Sequence, residues 1–106
     1  MDYKDVKCLI EEGEGFEIEF KRKVTTQEKI ARALIAFANT KGGHILFGVD
    51  DDGSIVGVES EKSEVDMIFE AGATLCLPEI HPDIDIVPFS GKDVIVATVP
   101  ESDDKP

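Results

Sequence analysis

Tryptophan is absent from this chain, tyrosine occurs once, and the two cysteines, Cys8 and Cys76, stand far apart with no CxxC spacing. Two such cysteines indicate neither a disulfide framework nor a zinc site, and a reducing, cytoplasmic setting is the one they fit. No stretch comes near the roughly 20 consecutive apolar residues that a membrane helix needs. The first residues, Met1 to Asp5, lack a basic start followed by an apolar run, so neither a secretory leader nor a membrane partner is expected. Basic residues are scarce as well: 11 Lys and Arg face 23 Asp and Glu, a net charge of −12. Taken as a bulk property, that charge argues against a polyanionic partner.

Two glycine-rich motifs also lack what a ligand loop requires. A phosphate cradle places its glycines after a strand and before a helix, whereas Gly42-Gly43 follow a helical pattern and precede a strand. Asp50-Asp51-Asp52-Gly53 lacks the alternating ligands and closing glutamate of a calcium loop.

What is present is a globular composition, 42% hydrophobic and 32% charged over 106 residues, enough for one domain with a single core. The charge is unevenly spread. From Phe20 to Gly43 there are six basic residues, Lys21, Arg22, Lys23, Lys29, Arg32 and Lys41, and one acid, Glu28, so this segment carries +5 and the remainder −17. A cluster of that kind marks either a binding face or a solvated helix face. Charges in the near field of such a cluster survive screening, which acts beyond about 10 Å.

The chain is organised around Ala36 to Asp51, where a helical pattern stops at Gly42-Gly43 and an apolar strand starts at once. Glycine past the last helical turn closes the helix in a left-handed conformation, and Lys41 is expected beside the last carbonyls. Upstream, Val6, Leu9 and Ile10 predict a short helix over residues 5–12 with Asp5 as its cap. Phe16, Ile18 and Phe20 alternate with Glu17, Glu19 and Lys21, which predicts a strand with one wet face. Thr25 or Thr26 caps the next helix, whose Ile30, Ala33, Leu34, Phe37 and Ala38 form a continuous apolar stripe.

Residues 44–58 read as a hairpin about an aspartate-glycine turn. A helix from about Ser63 to Cys76 is ended by Pro78, and a second hairpin joins strands at 84–89 and 94–99 through Ser90 to Asp93. The expected fold is α+β, a single domain with a mixed β-sheet, hairpins and packed helices in the order α-β-α-β-β-α-β-β. Runs such as Ile45-Leu46-Phe47 and Val94 to Ala97 are apolar at successive positions and so buried on both faces, which requires helices against the sheet.

Glu14, Glu19, Asp50, Asp51 and Asp52 are the acids that would converge if the first strand pairs near the end of the 44–50 strand. Converging carboxylates bind a hard divalent cation that polarises a phosphate and activates water; equally, such acids solvate a strand face or serve a turn. His44 and His81 are isolated and read as structural, Cys8 and Cys76 as core thiols, and Phe16, Phe20, Phe37, Phe47 and Phe69 as packing residues.

The residues from Glu14 to Lys21 with their Glu19-Phe20-Lys21, Ala36 to Gly43, Phe47 to Gly53, and Val99-Pro100-Glu101-Ser102 with Lys105-Pro106 occur in an order hard to obtain by chance. Together they closely resemble the Schlafen AlbA-like domain over about residues 10–106. The resemblance implies an α+β fold and, in bacterial members, a DNA-binding domain at the front of longer proteins that look like transcriptional regulators. Those members have also been called divergent AAA-type ATP-binding proteins, but no Walker motif is found here. Members usually continue past the final Lys-Pro into another strand, so residues 1–106 are expected to be the N-terminal part of a longer protein with a further domain after them. In eukaryotic Schlafens the same domain supplies three acids to a metal-dependent RNA-cleaving site. Carried over, these resemble Glu14, Glu19, and Asp50 or Asp51, with magnesium or manganese as the metal.

Three functions are therefore expected of different classes. The leading one is DNA or RNA binding, with Lys21, Arg22, Lys23, Lys29, Arg32 and Lys41 on phosphates and Asn39, Thr40, Gly42 and Gly43 ordering the helix end. A second is a metal-dependent endoribonuclease using Glu14, Glu19 and Asp50 or Asp51. The third is an interaction module forming a homodimer through an unpaired edge at residues 94–99 or 54–58.

Overall fold

The apolar stripe from Ile30 to Ala38 is buried along its whole length. In the computed structural model, which describes residues 1–59 and 61–102, this stripe belongs to helix α2 (Gln27–Ala38), and Ile30, Ala33, Leu34, Phe37 and Ala38 are all buried. Thr26, rather than Thr25, caps it by accepting from the Lys29 amide at 3.3 Å. The C-terminal carbonyls are met in turn by the Asn39 amide on Ile35, the Gly42 amide on Phe37 and the Ser102 amide on Ala38, so few of the acceptors that a helix end leaves free go unpaired.

The other elements are α1 (Tyr3–Glu12), β1 (Ile18–Lys21), β2 (Gly43–Phe47), α3 (Glu61–Thr74), β3 (Asp83–Phe89) and β4 (Lys92–Val99). The strands form one mixed sheet in the order β1-β2-β4-β3, with β1 parallel to β2 and the other pairs antiparallel. Helices α2 and α3 pack on one face against Ile45, Phe47, Ile95 and Ala97. Helix α1 covers the other, where Val6 meets the layer of Ile18, Phe20, Leu46, Val94 and Val96. Strands β2 and β4 are thus apolar at successive positions because each has a helical layer above and below it. Burying each Leu, Ile or Phe at these positions contributes about 1.5–3 kcal/mol.

The fold class is the one expected from the sequence, and the helices and strands follow the expected order except that the second arm of the first hairpin is not a strand; the boundaries also differ. Helix α1 starts at Tyr3, and Asp2 is its cap, accepting from the Lys4 and Asp5 amides, while the Asp5 carboxylate accepts from the Asp2 amide. This is a reciprocal capping box, in which Asp5 is the third helical residue and not the cap. The second arm of the first hairpin shrinks to a single bridge between Val49 and Ile55, because Gly48 and Gly57 take φ of 97° and 78° and turn the chain out of the extended run. Helix α3 begins two residues before Ser63 and ends two before Cys76. Of the polar tail, Glu101 and Ser102 are described, and 103–106 lie outside the described residues.

Three packing assignments and both edge assignments need correction. Phe16 is 96% exposed and lies before β1, and Phe69 is 42% exposed. Cys8 is exposed; Cys76 alone of the two thiols is in the core. Residues 94–99 lie in β4, which is paired on both sides, and 54–58 form no strand, so neither is a free edge. The free edges belong to β1 and β3. No described helix is long and apolar enough to cross a membrane.

Candidate nucleic acid interface

Because β1 is an edge strand, its second face is only partly covered. Glu19 and Lys21 project toward α2, on the side of the sheet opposite Ile18 and Phe20, and helix periodicity brings Lys29, Arg32, Ala33 and Ala36 to the same place. These six residues line a groove of about 350 Å³. The small side chains of Ala33 and Ala36 are what keep it open between the longer ones. Lys21 Nζ lies 3.1 Å from Glu19 Oε2, and this pair is half-covered. Among the described residues, Lys29 and Arg32 take part in no ion pair, so the groove presents two uncommitted cations and a third shared with Glu19.

The remaining basic residues go elsewhere. Arg22 Nη1 pairs with Asp50 Oδ2 at 2.9 Å, and Lys23 is exposed on the segment leading to α2. Lys41 and Thr40 line a second hollow of about 480 Å³ with the Glu12 to Ile18 loop, including the exposed Phe16. At the helix end the Thr40 hydroxyl donates to the Phe37 carbonyl at 3.1 Å, and Asn39 contributes its backbone amide. Gly42 has φ of 80°, and Gly43 passes so close to Phe37 and the Glu17 carbonyl that a Cβ would meet them at 2.5 and 2.6 Å. Both glycines are therefore required by the join between α2 and β2.

The acids do not converge. Glu14 Oε2 accepts from the Phe20 amide at 3.0 Å. Glu19 is held by Lys21, and Asp50 accepts from the Asp51 amide through one oxygen and meets Arg22 with the other. Asp51 is exposed, and Asp52 accepts from the Ser54 amide at 2.8 Å. Hydrogen bonds from Ser54, side chain first and then backbone, hold the Asp52 carboxyl below its usual range. Among the described residues no three His, Cys, Asp or Glu side chains are grouped so as to hold a metal ion. Glu14, Glu19 and Asp50 or Asp51 therefore do not fit a magnesium or manganese ion shared by three carboxylates, since no three of them are grouped.

His44 Nδ1 lies 3.1 Å from Thr98 Oγ1 across the β2–β4 pair, and His81 pairs with exposed Glu79. Sequence reasoning read Ala33 only as part of the apolar stripe and did not single out Ala36, yet both line the groove. The signal was the spacing of Lys29, Arg32, Ala33 and Ala36, which places small side chains on the same side of α2 as the two cations, at the border of the apolar stripe.

A family model for Schlafen, AlbA_2 matches residues 14–106. Among solved structures, the chain is similar to the N-terminal domain of a RecG-related protein from Nitrosomonas europaea, named for an ATP-dependent DNA helicase. The identity is 28% and the TM-score 0.75, over 91% of this chain and 72% of that one. It also shares its fold with the DIP2311 protein from Corynebacterium diphtheriae, at 19% identity and a TM-score of 0.60, over 95% of this chain and 26% of that one.

Proposed function

The chain belongs to the Schlafen, AlbA_2 family, and on that premise we propose that it binds nucleic acid through the groove between β1 and α2. The observation that carries this reading is the meeting of Lys21, Lys29 and Arg32 in one open groove, in a chain whose net charge is −12. Against that acidic background, two uncommitted cations side by side attract a phosphate backbone at short range, where salt screens least. The name of the Nitrosomonas relative, which refers to a DNA helicase, supports the same direction. Lys23 and Lys41 extend the contact to either side, and Arg22 joins it at the cost of its exposed pair with Asp50, an interaction worth about 0–1 kcal/mol. We place the domain in a cytoplasmic protein of the transcriptional-regulator type, as its resemblance to bacterial members implies.

Fluorescence anisotropy with labelled DNA and RNA tests the reading. Three phosphate contacts give a salt slope of about −2 to −3, so affinity falls roughly thirtyfold between about 50 and 200 mM salt. Charge reversal in Lys29→Glu/Arg32→Glu is expected to lower affinity at least about tenfold at low salt. No binding at about 50 mM salt, where electrostatic association is strong, or equal binding by the double variant, overturns the assignment.

A further inference from the structure

Among the described residues strand β1 has one neighbouring strand, and the direction of its backbone groups is fixed by its hydrogen bonds. The carbonyls of Glu17 and Lys21 accept from the His44 and Gly48 amides of the β2 side. Backbone groups alternate along a strand, so those of Ile18 and Phe20 point away from the sheet. One outward group of each is met from within the chain. The Ile18 carbonyl accepts from the Gly15 amide at 3.0 Å, and the Phe20 amide donates to the Glu14 carboxylate at 3.0 Å. Residues 14 and 15 therefore sit where an adjoining strand would sit.

The sequence of this edge is charge-symmetric about Phe20: Glu17 and Glu19 precede it, Lys21 and Lys23 follow at matching distances. We propose that the β1 edge is a strand-addition surface for a second copy of this chain, antiparallel and centred on Phe20, which Glu14 holds shut. A two-fold axis at Phe20 sets its outward amide and carbonyl against those of Phe20 in the other copy. It also sets Ile18 against Arg22 and brings Glu19 opposite Lys21 twice, with Glu17 opposite Lys23 beyond. Opposite charges facing each other across a strand pair stabilise the register, and a self-complementary edge closes after two copies. The paired sheets would run to eight strands, with both copies of α2 on one face. The proposal does not rest on nucleic acid binding, because no nucleic acid takes part in its test.

Sedimentation velocity at micromolar concentration reads the outcome. Removal of the competing acceptor in Glu14→Ala is expected to tighten self-association by about tenfold, toward twice the 11.6 kDa monomer mass. Adding Glu19→Lys to that variant sets cation against cation and returns the mass to the monomer. Further addition of Lys21→Glu restores the dimer. On the unaltered chain, exchange of the Ile18 and Arg22 amides is expected to slow as concentration rises, a readout that stands even where Glu14→Ala fails to fold. A monomeric Glu14→Ala, association indifferent to the charge reversal, or concentration-independent exchange at both amides overturns the proposal.

Discussion

The two edges of this sheet face the same physical problem and answer it differently. An edge strand exposes a row of unpaired donors and acceptors that another chain can pair with. Strand β3 answers it covalently: Pro88, exposed near its end, has no amide to offer, and Asp83 and Asp85 put negative charge along it, the latter bound to the Met1 amino group at 3.3 Å. Strand β1 contains no proline and answers by folding its own preceding loop back, so that Glu14 meets the outward amide of Phe20 and Gly15 the outward carbonyl of Ile18. The first device is permanent and the second reversible. That difference assigns the two edges different roles, since only a reversible cover can give way to a partner.

The contrast weakens if the strands between the edges are not the real source of stability, and this is where the largest effect is expected. Phe47, fully buried in β2, packs with the α2 and α3 side of the core. Phe47→Ala should cost about 3–5 kcal/mol, read as a shift of the urea midpoint at unchanged slope. A loss below about 1 kcal/mol would mean that the centre of the sheet is looser than its burial implies.

A smaller effect in stability but a clear one in solubility comes from returning a donor to β3. Pro88→Val should change folding free energy by about 0.5 kcal/mol or less, as surface substitutions do, while light scattering on concentration rises above that of the parent chain. Unchanged scattering would show that the aspartates alone guard this edge.

The smallest effect concerns the turn at Asp50 to Gly53, which touches the end of β1 only through the exposed Arg22–Asp50 pair. Asp52 has a lowered pKa in the fold because Ser54 hydrogen-bonds its charged form. A group so depressed contributes stability that is present above its unfolded pKa and is lost as pH falls through the lower folded value. Asp52→Ala is thus expected to reduce stability slightly at neutral pH and to flatten the acid limb of the stability profile, with no change in sedimentation. An identical acid limb in both proteins would remove Asp52 from the account.

Local patterns made much of this architecture legible. The α2 stripe, the helix-ending glycine pair and the both-faced apolar runs of β2 and β4 are properties of neighbouring residues, and their consequences are fixed by helix and strand periods. The charge cluster from Lys21 to Lys41 could likewise be read, and three of its members do share one groove. What could not be read was the fate of the acids. Strict alternation placed Phe16 on the buried face of a strand starting there, yet β1 starts at Ile18, and the loop before it turns Glu14 back onto the Phe20 amide. Alternation reports which residues share a face and says nothing of where pairing with a distant strand begins.

By itself, then, the sequence determined the elements, the two apolar faces of the central strands and the cationic stripe on α2, because each depends on spacings of a few residues. Only the tertiary structure decided that β4 lies inside the sheet and β1 at its rim, since strand order is set by contacts between residues 18–21, 43–47 and 92–99 that no local period encodes. The same long-range pairing decided the use of Glu14. Once β2 takes the inward groups of β1, the outward amide of Phe20 needs an acceptor, and the Glu14 carboxylate, six residues upstream, is the one that meets it.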